Sequence, residues 1–152
     1  MAYSTIVKPQ DYFNTKLYTG NGSAGNAITG VGFQSDFSWI KNRAADWHIW
    51  TDAVRGVTKQ IYSNSSSAEA TDSTYMQSFN SDGFTLGTNA DVNDSGNNYA
   101  SWNWLAANGT ASNTTGSINS TVSVNTTSGF SIVTYTGTNG TETVGHGLGV
   151  VP

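Results

Sequence analysis

The sequence predicts an all-β protein, an antiparallel two-sheet sandwich, on three observations. Apolar and polar residues alternate with a period of two along most of the chain, while the 3.6-residue period of a helix is nearly absent. Ser, Thr, Asn and Gly account for 73 of the 152 residues and gather between the alternating runs, where they supply turns. Eighteen aromatic residues recur along almost the whole length. Disordered segments lack such side chains.

The strands follow in order. The first is expected at 13–18, stopped by Thr19-Gly20-Asn21-Gly22. Residues 37–41 form the next, with Phe37 and Trp39 on one face. Strands at 47–51 and 57–62 precede the polar loop 63–67, and 66–70 is the only stretch that suits a helical turn. Residues 84–86 lie between Gly83 and Gly87. In 99–106 the alternation sets Ala100, Trp102, Trp104 and Ala106 on one face, and Tyr99, Ser101, Asn103 and Leu105 on the other. Strands at 118–124 and 130–136 complete a series of eight. Apolar character decides which face turns inward, so Trp39, Trp102 and Trp104 are expected between the sheets.

A chain of this length can bury a core unaided. It has no cysteine, which excludes disulfides and thiolate metal clusters. Net charge is −4, which argues against nucleic acid or an anionic membrane as partner. No apolar run approaches the roughly 18 residues of a membrane helix, so no membrane insertion is expected. All six Lys and Arg precede residue 60. Asp36, Lys41, Arg43, Asp46, Asp52, Arg55 and Lys59 crowd together as a structural ion-pair network, with Asp52 and Arg55 in the turn that Gly56 closes. The alternative is that Arg55 or Lys59 holds a ligand.

The chain also repeats itself. Phe13-x4-Tyr18-Thr19-Gly20 recurs as Phe130-x4-Tyr135-Thr136-Gly137, an offset of 117, and without a gap Gly30-Val31-Gly32 falls on Gly147-Leu148-Gly149. Residues 1–12 then read as a leader or a linker from a preceding module, 13–128 as a β-sandwich module, and 129–152 as the start of a truncated second repeat. The strand at 130–136 must find a sheet edge, its own domain's or a neighbouring subunit's. A loop of only 125–129 favours the intramolecular hairpin.

Several motifs in order carry a family resemblance: Tyr18-Thr-Gly-Asn-Gly-Ser23, Val31-Gly-Phe-Gln-Ser-Asp-Phe-Ser-Trp-Ile-Lys41, Asp52-Ala-Val-Arg-Gly56 and Phe79-Asn-Ser-Asp-Gly-Phe-Thr-Leu86. Tyr99-Ala-Ser-Trp-Asn-Trp104 and Gly145-His-Gly-Leu-Gly149 close the series. Together they resemble modules of tail-fibre-like and other virion proteins of marine tailed bacteriophages. The resemblance implies a concanavalin-like or laminin-G-like jelly roll, repeated in tandem, in a non-enzymatic virion structural protein. Its partners would be other virion subunits or copies of itself, with host-surface glycans as a further contact. The other reading is a carbohydrate-binding module of a secreted or cell-surface protein, placed outside the cell.

Catalytic patterns are lacking. No strand carries the paired acids of a glycosidase, and Glu69 and Glu142 lie far apart in polar segments. His48 and His146 have no Gly-x-Ser-x-Gly elbow to serve, so no enzyme is expected. Sugar binding needs an aromatic platform with polar neighbours. His48, Trp50, Arg55 and the Asn97-Asn98-Tyr99 edge are the candidates, because Trp47 and Ile49 take the opposite face from Trp50. Asp91, Asn93 and Asp94, followed by Gly96, resemble the opening of a calcium loop. The bidentate acid such a loop needs later is replaced by Trp102, and an Asx-rich turn explains the same residues. No other cofactor is expected.

Overall fold

The computed structural model describes residues 6–151. A 3-10 turn at Pro9–Asp11 leads into twelve strands among the described residues: β1 Phe13–Thr19, β2 Asn26–Thr29, β3 Phe37–Asn42, β4 His48–Asp52, β5 Lys59–Tyr62, β6 Ala70–Thr71, β7 Met76–Asn80, β8 Gly83–Leu86, β9 Asn98–Trp104, β10 Ala111–Asn113, β11 Ser120–Asn125 and β12 Phe130–Tyr135. One helical turn, α1 (Ala90–Asn93), stands before β9, its N-terminus capped by the Asn89 side chain accepting from the Asp91 N–H. The stretch 66–70 forms no helix; Ala70 enters β6 instead.

A six-stranded sheet in the order β1-β9-β3-β4-β5-β6 packs on a three-stranded sheet β2-β8-β7, and β10-β11-β12 form a third sheet. Every strand pairing is antiparallel. The chain is an all-β antiparallel sandwich. β2, β6, β7 and β10 were not expected from the sequence; three of them have four residues or fewer, too short for an alternation to register.

The core lies between the first two sheets. Ile40, Ile49 and Tyr99 from the large sheet meet Ile28, Met76, Phe84 and Leu86 from the small one, with Val92 of α1 and Tyr75 beside them. Trp39, Trp102 and Trp104 are not in it. They are half-buried on the opposite, outer face of the large sheet, which overturns the expectation that they fill the space between the sheets.

The reason is a set of polar side chains that satisfy one another inside. Ser38, Asn42, Ser101 and Asn103 are fully buried, and register places Asn14, Asn103, Ser38 and Thr51 in one cross-strand row. Ser38 Oγ donates to Asn103 Oδ1 at 2.9 Å, and Asn103 Nδ2 donates to Ser101 Oγ at 3.0 Å and to the Asn14 carbonyl at 3.3 Å. The row lies against the loop before β3, where Asn14 Nδ2 donates to the Val31 carbonyl and the Ser35 and Ser38 hydroxyls share a hydrogen bond. Once their hydrogen bonds are made internally, the cost of burying them falls to near zero.

Two features tie the third sheet to the sandwich. The buried Asp36 carboxylate accepts from the Ala106 and Asn108 N–H groups at 2.7 and 3.0 Å, gripping the segment that leads from β9 to β10. Phe130 of β12 stacks on Trp104 at 6.1 Å and meets Phe37 at 6.3 Å, covering one end of the outer face. β12 pairs with β11 from Asn125↔Phe130 to Ser120↔Tyr135, so the 128/129 boundary falls within one hairpin. Beyond β12 the tail crosses back, where Val144 bridges Ile118 and Gly145 is buried against Asn113 and Thr115. The 117-residue offset has a backbone counterpart. Gly30 and Gly32 have φ of 81° and 93°, and Gly147 and Gly149 have 77° and 75°, a left-handed conformation that glycine adopts without penalty.

Candidate functional site

The outer face of the large sheet is the feature that combines aromatic and polar groups. Alternation fixes its members and register aligns them in rows. Phe13, Trp104, Phe37 and Asp52 form the first row, Thr15, Trp102, Trp39, Trp50 and Ile61 the second, and Leu17, Ala100, Lys41 and His48 the third. Asn98 follows next to Thr19, whose hydroxyl donates to its side chain at 3.0 Å. Strands repeat at about 4.8 Å, so the three tryptophans of the second row span roughly 10 Å.

The indoles brace each other. Trp39 lies 5.1 Å from Trp102 and 6.0 Å from Trp50, the latter pair at 89°. The Trp39 and Trp50 Nε1 groups are buried without a hydrogen-bond partner among the described residues. Perpendicular packing sets the edge of one indole against the π face of the other, which offsets part of that loss. Next to them lies Ala100, paired with Leu17 and Lys41. Trp102 is the next residue on the same face of its strand, Leu17 is 65% exposed, and His48 follows beyond Lys41 in the row. The Lys41 ammonium donates to the Asn42 and Ala45 carbonyls. Partial burial, with Lys41's charge adding to it, holds the His48 imidazole below its ordinary pKa. The ring is therefore neutral at pH 7 and presents one donor and one acceptor.

The structure brings together only part of the set expected from the sequence. His48 and Trp50 lie side by side on this face, in consecutive rows of β4. Arg55 is engaged elsewhere. Its Nε meets Asp52 at 2.5 Å, its Nη1 Glu69 at 3.1 Å and its Nη2 the Trp50 carbonyl at 3.3 Å, while Lys59 reaches Glu69 at 2.8 Å. Asp52 Oδ1 also caps the turn by accepting from the Val54 and Arg55 N–H groups. Glu69, hydrogen-bonded first to Lys59 and then to Arg55, is held below the usual carboxylate range. This is the structural ion-pair turn, with Glu69 as a further member; Asp36, Lys41, Arg43 and Asp46, expected in the same network, form no ion pair among the described residues.

Tyr99 is no ligand contact. It is fully buried on the inner face, where its hydroxyl donates to the Ala90 carbonyl at 2.6 Å and accepts from the Asp94 N–H at 2.7 Å. Alternation along β9 requires this once Trp102 and Trp104 face outward. Asn98 is exposed at the polar end of the outer face, and Asn97 Nδ2 donates to Asp94 Oδ2 at 2.9 Å.

Asp91, Asn93 and Asp94 serve three separate sets of partners. Asp91 accepts from the Tyr75 hydroxyl at 2.7 Å and from the Trp47 N–H. Asn93 is wholly buried and joins the loops around it, accepting from the Asn21 N–H and Asn26 Nδ2 and donating to the Ser23 and Gly87 carbonyls. Asp94 accepts from Ser95 N–H and Asn97. Only Asp94 acts as a local turn-former, as the Asx-turn reading of this segment has it; Asp91 and Asn93 tie together segments distant in sequence.

Trp39, Trp102 and Lys41 belong to the outer face and were assigned elsewhere from the sequence. A signal for them exists in the run of Ser, Asn and Thr at alternate positions 38, 42, 51, 101 and 103. These residues can line a buried face only as a mutually hydrogen-bonded set.

Fold and face together define a β-sandwich domain with an aromatic, polar-rimmed outer sheet. The chain belongs to the family described as Domain of unknown function (DUF7483), whose match spans residues 8–152 and so runs across the 128/129 boundary. No curated protein and no solved structure matches the chain.

Proposed function

We propose that this chain is a non-enzymatic module of a phage fibre or similar appendage and that its outer sheet face contacts host-surface glycans. The resemblance of its ordered motifs to virion modules supports the setting. One observation carries the binding role: a row of three half-buried tryptophans on an outer sheet face, bordered by Lys41, His48 and Asn98. Sugar rings present a C–H face that stacks on indole and hydroxyls that need both donors and acceptors. Neutral His48 supplies both kinds, Lys41 donates, and Asn98 offers an amide. A row of roughly 10 Å suits a disaccharide unit of a polysaccharide.

A glycan array probed with the full chain and with Trp102→Ala and Lys41→Ala tests this. The expected result is binding to a defined glycan class that falls about tenfold or more in each variant, in line with the loss of ~1.4 kcal/mol or more, while far-UV dichroism is unchanged. Binding should hold steady from pH 8 to the ordinary imidazole pKa of about 6.5 and weaken below it as His48 loses its acceptor. An array on which the folded chain binds nothing, or binding that both variants retain in full, overturns the glycan reading.

A further inference from the structure

The sheet edges of this protein are not alike. An edge strand exposes a row of unpaired N–H and C=O groups, and proteins blunt such edges with charge, shortness, bulges or covering segments. Five of the six edges here are blunted. β6 has two residues, β10 three and β2 four. β7 carries a register shift between Met76 and Ser78. β1 has Lys16 at its centre, and the loop at Gly30–Val31 lies alongside it, with Asn14 Nδ2 donating to the Val31 carbonyl at 2.9 Å.

β12 has none of these devices. Phe130-Ser-Ile-Val-Thr-Tyr135 is six residues long, without charge, proline or bulge, and its pairing with β11 runs unbroken. It is the last strand in the order β10-β11-β12, and no backbone hydrogen bond among the described residues reaches its far edge. The tail that follows crosses to the β10–β11 loop through Thr143 and Val144 and leaves that edge uncovered. Alternate residues of β12 thus direct N–H and C=O groups away from β11 with no backbone partner among the described residues.

We infer that β12 is an assembly edge that pairs antiparallel with β12 of a second copy of this chain about a two-fold axis. The second copy is the occupant because its other edges are short, bulged or charged, so the long open edge it offers is β12 itself. A two-fold axis perpendicular to the sheet makes such an edge self-complementary and keeps like faces aligned. The uncharged sequence brings no like charges together across the join. Two three-stranded sheets then become one of six strands, with Phe130, Ile132 and Thr134 of each copy on a shared face. The join lies on the third sheet, apart from the tryptophan row, so it does not depend on what that row binds.

Sedimentation of the full chain across a concentration series, with hydrogen exchange at low and high concentration, tests the inference. The expected result is a monomer–dimer equilibrium, with slowed exchange at high concentration confined to alternate amides of 130–135. Thr134→Lys adds an edge charge opposite the exposed Thr121 of β11, so the hairpin tolerates it. The dimer should weaken roughly tenfold or more while the fold is kept. Should that variant fail to fold, the exchange pattern of the unaltered chain still decides. A chain that stays monomeric, or one that associates with no change in β12 exchange, overturns the inference, as does a dimer that Thr134→Lys leaves at full strength.

Discussion

Asp36 shows how one buried charge can be both a cost and a fastener. Its Oδ2 holds the Ala106 and Asn108 N–H groups, while Oδ1 has no hydrogen-bond partner among the described residues. Burial raises its pKa and outweighs the two backbone hydrogen bonds, which act in the opposite direction. A carboxyl whose folded pKa lies above its unfolded value binds protons more tightly when folded. Its contribution to stability is therefore greatest in acid and is lost as pH rises from the ordinary carboxylate range through the raised folded value. Asp36→Asn keeps an oxygen acceptor and removes the buried charge. It should leave stability at pH 7 within about 1 kcal/mol of the parent or above it, and flatten the loss of stability with rising pH. Asp36→Ala leaves the Ala106 and Asn108 N–H groups without their acceptor and should cost about 1–3 kcal/mol, most in acid and less as pH rises, because it too removes the titrating group. Denaturant titrations at pH 4 and 7 check both, and an Asn variant as damaged as the Ala variant would show that the charge itself fastens the segment. Nothing in the sequence around Asp36 marks it as buried, because the N–H groups it holds lie 70 residues and more along the chain.

At the level of strands, the alternation of β3 and β9 was legible and its direction was not. The pattern 37–41 and 99–106 located both strands to within two residues, and the split of β9 into an Ala100/Trp102/Trp104 face and a Tyr99/Ser101/Asn103 face is the observed one. Hydrophobicity then points the wrong face inward. Register places Ser38, Asn103 and Asn14 in one row, and only that cross-strand arrangement lets serine and asparagine line a core. The ion-pair turn at Asp52 and Arg55 was readable because its partners sit three residues apart. The pairing of His48 with Lys41, and of Trp50 with Trp39, needed the β3–β4 register. Asn103→Ala tests the polar row. It removes the acceptor for Ser38 and the donor to Asn14 and Ser101, and should lower stability by about 2 kcal/mol. Asn103→Leu should cost at least as much, since the cavity is shaped for an amide and the neighbouring polar atoms stay unpaired. Chemical denaturation reads both. Stability gained in the Leu variant would show that apolar filling suits this face as well as the hydrogen-bonded row does.

The whole molecule is a sandwich with a smaller sheet fastened to it, and the two parts are joined by few contacts. Asp36 grips the connecting segment, Asn125 Nδ2 donates to the Ala106 carbonyl at 3.3 Å, and Phe130 rests on Trp104. The small sheet has its own fastening in the tail. The buried Ser120 hydroxyl donates to the Gly145 carbonyl at 2.8 Å, and a Cβ on Gly145 would come within 2.2 Å of Asn113 Oδ1 and 2.4 Å of Thr115 Oγ1. Loss of the tail from Gly145 onward therefore removes a buried residue and the acceptor of the Ser120 hydroxyl. Gly145→Val should force that segment off β10 and β11, while β1–β9 keep a core that the tail does not touch. Parts linked by so few contacts open separately when one of them is weakened. Hydrogen exchange on the Gly145→Val variant should show lost protection in 111–135 and retained protection at Ile40, Ile49 and Tyr99, with near-UV dichroism from the tryptophan row largely kept. Uniform loss across both parts would mean that the small sheet is integral to the sandwich, and that Asp36 and Phe130 couple the two more tightly than their few contacts imply.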